Sequence, residues 1–274
     1  GPKRIWPDKQ FFRAKWDEQI ERHNKHGNTE YNLEPNIKEA PGGLRDIQMI
    51  NWVAKRHFNV ESLEELVGRD FLTPEEYLQL KRGEAFLWKV RYGLHLIAER
   101  PEERLQFDYQ RKLAAMFGYH DSEERLGVEK FMQHYYQVVL FMRELNDVML
   151  QYLDEAILRK DKAKNVYALN DRFQVRDNHI ETLGEYIFAK YPSALLEIFC
   201  LLGENDKILG IRAATIRQIR QHRKLIGDDF RNEPQNKALF LRLLRCPHKM
   251  TTQLQRMTRY GILGRYLPEF GQII

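Results

Sequence analysis

Phe131, Tyr135, Val138, Met142, Leu145, Met149, Tyr152 and Ala156 recur at alternating steps of four and three without a break. That spacing puts every one of them on a single helical stripe and predicts one helix over residues 123–160. A helix of that length measures about 55 Å at ~1.5 Å per residue. Such a spine needs partners along its whole apolar face, which points to an elongated antiparallel bundle. The Met and aromatic stripe reads as core, not as a cofactor box. Other helices are predicted over residues 6–26, 44–58, 62–67 and 73–100. Ser62 with Glu65 has the pattern of a capping box, and Pro74 sits in a favoured first-turn position.

The C-terminal part predicts shorter helices over residues 183–190, 192–202, 211–225, 235–245 and 249–260. Residues 161–172 are polar and aperiodic, the pattern of a hinge. Residues 173–180, turning at Asp177-Asn178, have room for one short hairpin. The fold class expected is therefore all-α: a bundle with a long spine helix, a smaller C-terminal helical subdomain and at most that hairpin. The expected divisions are 1–42, an N-terminal helix and extended connector, then 43–160, the bundle. The hinge with the hairpin (161–182) and the C-terminal subdomain (183–274) follow.

The most unusual stretch runs from Asn32 to Gln48. Pro35 and Pro41 hold the chain extended, and Gly42-Gly43 allows a sharp turn directly before a helix. Free amides at a helix start attract anions, and Lys38 and Arg45 flank this one. The alternative is a glycine-rich helix entry whose charges form structural ion pairs.

The chain has 274 residues, 43% hydrophobic and 30% charged, enough to bury a core without disulfides or metal. Cys200 and Cys246 are far apart in sequence and read as reduced, packed thiols. The richest apolar run, residues 194–202, is interrupted by Glu197 and is too short to span a bilayer. A soluble, cytoplasmic protein is expected, with no membrane partner. The net charge of +5 is modest, and the one basic stripe, Arg212, Arg217, Arg220, Arg223 and Lys224, has no interleaved aromatics. It reads as a solvated helix face, and nucleic acid is not expected as a partner. His23 and His26 read as solvated histidines at a helix end. His120-Asp121 imitates the metal-binding pair of HD phosphohydrolases, yet Asp121 stands where a helix cap is expected.

The run Glu34-Pro-Asn-Ile-Lys-Glu-Ala-Pro-Gly-Gly-Leu-Arg-Asp-Ile47, followed by Trp52-Val-Ala-Lys-Arg-His-Phe58, closely resembles the bifunctional PII uridylyltransferase/uridylyl-removing enzymes of bacteria. Supporting matches are Phe71-Leu72-Thr73, Glu144-Leu-Asn146, Asp154-Glu-Ala-Ile157 and Leu263-Gly-Arg-Tyr-Leu-Pro268, so the resemblance covers nearly the whole chain. The Gly-Gly-Leu-Arg-Asp core is also similar to a motif of glutamine synthetase adenylyltransferase. The resemblance implies a nucleotidyltransferase domain ahead of this region, with an HD-type hydrolase domain and two ACT domains after it. A chain without an initiating Met and with an apolar end fits such an excised piece. It implies UTP and Mg2+ or Mn2+ for the parent, bound mainly outside this region, and the PII signalling protein as partner. No Gly-Ser pair and no Asp-x-Asp occur here, so no catalytic residue is assigned to this chain. The resemblance assigns Glu34, Asn36, Lys38, Gly42, Gly43, Arg45 and Asp46 to a nucleotide-binding or catalytic-domain interface. The competing readings are a helical protein-interaction scaffold that never touches nucleotide and the corresponding region of a glutamine synthetase adenylyltransferase.

Overall fold

The computed structural model describes residues 6–29, 32–69, 71–159, 165–246 and 249–269. The chain divides into two compact units, Gly1–Leu158 and Arg159–Ile274.

The first unit is helical. Its helices are α1 (Asp8–Lys25), α2 (Leu44–Phe58), α3 (Pro74–Ala98), α4 (Phe107–Met116) and α5 (Gly127–Leu153). A 3-10 turn, Leu63–Leu66, precedes α3, and a π-helical turn, Asp154–Leu158, prolongs α5. Local chemistry explains the boundaries. Pro7 precedes α1. Thr73 Oγ1 accepts the Glu76 amide while Glu76 returns a carboxylate to the Thr73 amide, a full capping box for α3. Asn59 ends α2 in the left-handed region. Helix α4 is not foreseen in the sequence; its Leu113 and Ala114 are buried against α3 and α5.

The spine helix is more than a seam. Phe131, Tyr135, Met142, Leu145 and Met149 are buried as the spacing predicts. Over residues 142–150, however, every side chain except that of Asp147 is buried, including Arg143, Glu144 and Asn146. Helices α2, α3 and α4 all pack on α5, which makes it the central helix of the unit.

The second unit corrects the all-α expectation. Strands β1 (Val166–Ala168), β2 (Phe173–Arg176), β3 (His179–Thr182) and β4 (Gly210–Ile211) form one four-stranded sheet in the order β1-β2-β3-β4. The first three are antiparallel and β4 adds in parallel to β3. The hairpin itself is as read: Asp177 (φ 52°) and Asn178 (φ 63°) make the two-residue turn that matches strand twist. Strands β1 and β4 escape a sequence reading because they are three and two residues long, too short to show alternation. Their hydrogen bonds come from β2 and β3. Helices α6 (Ile187–Lys190), α7 (Ala194–Glu204), α8 (Ala213–His222), α9 (Asp228–Asn232), α10 (Pro234–Leu244), α11 (Met250–Arg259) and α12 (Leu263–Tyr266) complete the unit. Helix α7 is buried on nearly every side and takes α10 and α11 against it. No helix is long and apolar enough to cross a membrane among the described residues.

Candidate functional site

The loop before α2 is built almost entirely from its own main chain. Asn36 pairs with Arg104 in an isolated antiparallel bridge, with the Ile37 amide on the Glu103 carbonyl at 2.8 Å. The Asn36 side chain accepts the amides of Lys38 (3.0 Å) and Glu39 (2.7 Å), turning the chain back on itself. Glu34 accepts the Phe107 amide at the start of α4 (3.1 Å) and holds Arg104 (2.9 Å). The amides of Gly43, Leu44, Arg45 and Asp46 donate to the carbonyls of Ala40, Ile37, Lys38 and Gly43, and the Gly42 amide donates to Asp46 Oδ2 at 2.8 Å. The helix start therefore offers no free amide; each donor expected to face an anion already has an internal acceptor.

Both glycines are required by geometry. Gly42 has φ 78°, and a Cβ there would overlap the Val139 carbonyl oxygen on α5. A Cβ on Gly43 would lie 2.7–2.9 Å from the carbonyl oxygens of Ile37, Lys38 and Ala40.

Asp46 is the polar centre of the loop. Its side chain is 1% exposed and accepts Arg22 Nη2 at 2.7 Å, His23 Nε2 at 2.9 and 3.0 Å, and the Gly42 amide. The Arg22 guanidinium, the His23 ring and the Gly42 amide together supply hydrogen-bond partners to both oxygens of this deeply placed side chain. Asp46 thus caps the turn and makes no pair with Arg45. Arg22 and His23, in the last turn of α1, are functional neighbours that the sequence does not announce. They lie 24 and 23 residues from Asp46, and only the packing of α1 on α2 joins them. His23, read as solvated, is instead part of this network.

Lys38 and Arg45 stay near the surface. Lys38 Nζ is 3.5 Å from Glu39, and Glu39 also approaches Arg22 at 3.8 Å. Arg45 holds Glu18 at 3.3 Å and stacks its guanidinium 5.1 Å from the centre of the half-exposed Trp52 ring, which Lys15 also approaches at 5.7 Å. The hydrogen bond from Lys15, with help from Arg45, holds the Glu18 carboxyl below its ordinary value.

The other sequence candidates resolve as structure. Asp121 accepts the Gly127 amide at 2.6 Å and so caps α5, while the His120 carbonyl accepts Lys130 Nζ. Among the described residues no group of three or more His, Cys, Asp or Glu could hold a metal ion. The described residues therefore do not fit the divalent cation that the resemblance implies for the parent. Cys200 donates to the Leu239 carbonyl, and burial pushes its thiol up to about 12, which leaves it unreactive. In the basic stripe, Arg212 approaches Glu181 at 3.6 Å and Arg223 caps the end of α11 through the Tyr260 carbonyl at 3.1 Å.

Residues 10–150 match the family model described as GlnD PII-uridylyltransferase, and residues 173–266 match the model for the third domain of uridylyltransferase GlnD. The chain is similar to proteins named bifunctional uridylyltransferase/uridylyl-removing enzyme. It is 52% identical to that of Azotobacter vinelandii over 99% of its length, and 51% identical to that of Stutzerimonas stutzeri over 98%. With the protein of Pseudomonas aeruginosa it shares 50% identity over its full length. In each case the chain spans 30% of the relative. No solved structure matches it.

Proposed function

Since the chain belongs to the GlnD PII-uridylyltransferase family, we propose that it is the central helical region of a cytoplasmic bifunctional enzyme. That enzyme would move UMP from UTP to the PII signalling protein and remove it again. In this reading the catalytic metal, Mg2+ or Mn2+, and most of the UTP contacts belong to a neighbouring nucleotidyltransferase domain. An HD domain would carry out removal. The chain contributes the Gly-Gly-Leu-Arg-Asp loop as a preformed edge of the nucleotide cleft and joins the catalytic domains. The observation that supports the reading is the division of labour inside the loop. Asn36, Gly42, Gly43 and Asp46 are turned inward and lock its shape, while Lys38 and Arg45 remain at the surface where phosphate oxygens could meet them.

A second reading is favoured by one specific observation. The amides from Ile37 to Asp46 are all occupied, and both surface cations already hold carboxylates of this chain, Glu39 and Glu18, which leaves the loop a finished surface for packing against the catalytic domain. Alanine at Lys38 or Arg45 in the intact enzyme separates the two. A nucleotide role predicts a loss of about ten- to a hundredfold in uridylylation, the equivalent of one charged hydrogen bond at roughly 1.5–3 kcal/mol. UMP removal and melting temperature should hardly move. If Arg45→Ala transfers UMP at the wild-type rate, the nucleotide role is wrong.

A further inference from the structure

Three successive turns of α5 face the candidate loop and the turn that follows α1, and the third does so across a gap. On the first, the Val139 main chain touches Gly42 so closely that no Cβ fits between them. On the second, Arg143 donates to the main-chain and side-chain oxygens of Asn28, at 3.3 and 3.1 Å, and so fixes the turn that follows α1. On the third stands Asn146. Its side chain is 4% exposed, and neither Oδ1 nor Nδ2 has a hydrogen-bond partner in the protein.

Asn146 and Asp46 line the same cavity, of about 10 Å3, whose remaining walls are aliphatic or Met side chains such as Ile50, Leu80 and Met149. That volume is close to one water and is too small for any other common ligand. Three donors reach the Asp46 carboxylate, Arg22 on Oδ1, the Gly42 amide on Oδ2 and His23 Nε2 shared between the two at 2.9 and 3.0 Å. A shared contact does not saturate either oxygen, so the carboxylate can accept one further donor. An amide buried beside a carboxylate with no partner of its own costs free energy unless something bridges the two.

We infer that Asn146 and Asp46 share one internal water, which donates to the Asp46 carboxylate and hydrogen-bonds the Asn146 amide. The water ties the central helix to the Gly-Gly-Leu-Arg-Asp loop, so a shift of α5 at this level is felt at Asp46. The site lies wholly inside the Gly1–Leu158 unit and stands whether or not the loop touches nucleotide.

Two measurements test it on the 274-residue chain. The first is a high-resolution crystal structure of the unaltered protein. Density for a water within hydrogen-bond distance of both Asn146 and Asp46 is expected, and a dry cavity there overturns the inference. The second is a count of long-lived internal waters by oxygen-17 relaxation dispersion, in the wild type and in Asn146→Leu, which keeps the side-chain volume and removes both polar atoms. The variant should lose one long-lived water and melt at a lower temperature. An unchanged count, with a melting temperature raised by removal of an unpaired amide, refutes the shared water. The crystallographic arm does not depend on the variant folding.

Discussion

In the Gly1–Leu158 unit one carboxylate, Asp46, is 1% exposed and draws donors from helix α1, 23 and 24 residues away. In the Arg159–Ile274 unit the comparable carboxylates stay nearer water. Glu197 (13% exposed) takes Arg172 in a two-pronged pair at 2.7 and 2.8 Å, and Glu181 (18% exposed) takes Arg176 at 2.7 Å. Glu181 and Arg176 are five residues apart on one hairpin. The two arrangements look alike as ion pairs, yet depth separates them. A charge without its partner in the interior cannot recover its hydration, whereas one at the rim can. The first unit therefore depends on a buried carboxylate pair, where the second keeps its carboxylate pairs nearer the surface.

The largest effect expected in this comparison comes from the core that surrounds Asp46. Leu145→Asp removes a fully packed side chain of α5 and buries a charge without a partner. The two penalties together are on the order of 5 kcal/mol or more, comparable with the whole stability of a domain. Circular dichroism should show the unit unfolded; a variant that melts like the wild type would remove α5 from the core.

Next comes Asp46→Ala, which strands Arg22 and the Gly42 amide and should cost about 3–5 kcal/mol. Glu197→Ala, its counterpart in the second unit, should cost about 1 kcal/mol. Urea titrations of the two variants side by side decide the matter, and equal midpoint shifts would mean that depth is not what distinguishes the units.

A smaller contrast concerns glycines. Gly42→Ala forces a left-handed residue and a clash with α5, for about 2–4 kcal/mol. Gly184→Ala, in the second unit, meets open space and should leave the melting temperature where it is. Thermal melts of the pair are sufficient, and a silent Gly42→Ala would show that the loop can move away from Val139.

The smallest effect is a pH dependence at the rim of the first unit. The Glu18 carboxyl is held below its ordinary value of 4.5, first by its hydrogen bond from Lys15 and then by Arg45. A depressed folded-state value contributes stability that is complete above about pH 4.5 and is lost as pH falls through the lowered value. Because Glu18 is well exposed, the contribution is under about 1 kcal/mol. The gap in melting temperature between wild type and Glu18→Gln should be present at neutral pH and close in acid. A gap that widens in acid would reverse the assignment.

The parts of this molecule that could be read from the chain are those written in local chemistry. Helix α2 runs over Leu44–Phe58 as its spacing predicts, because Gly43 and Asn59 mark its ends within the sequence itself. Asp177 and Asn178 declare the hairpin, since few other residue pairs accept positive φ in succession. The core stripe of α5 follows from its period. Strands β1 and β4 could not be read in this way, because each exists through hydrogen bonds to strands already formed elsewhere in the unit. The candidate loop was recognisable as a motif, but its interior was not: nothing in the order of residues tells that Arg22 and His23 would converge on Asp46.

By itself the sequence determined where helices such as α2 start and stop, which face of α5 is apolar, and which family the chain resembles. Each of these depends on interactions within a few residues or on motif identity. Only the tertiary structure decided that α5 is enclosed on several sides, that a sheet stands among the C-terminal helices, and that Asp46 is buried with its donors while Lys38 and Arg45 are left at the surface. These outcomes depend on which distant segments meet. Burial is a property of the assembled neighbours and not of any residue in the chain, so the cost and the chemistry of a charge are settled only when the packing is complete.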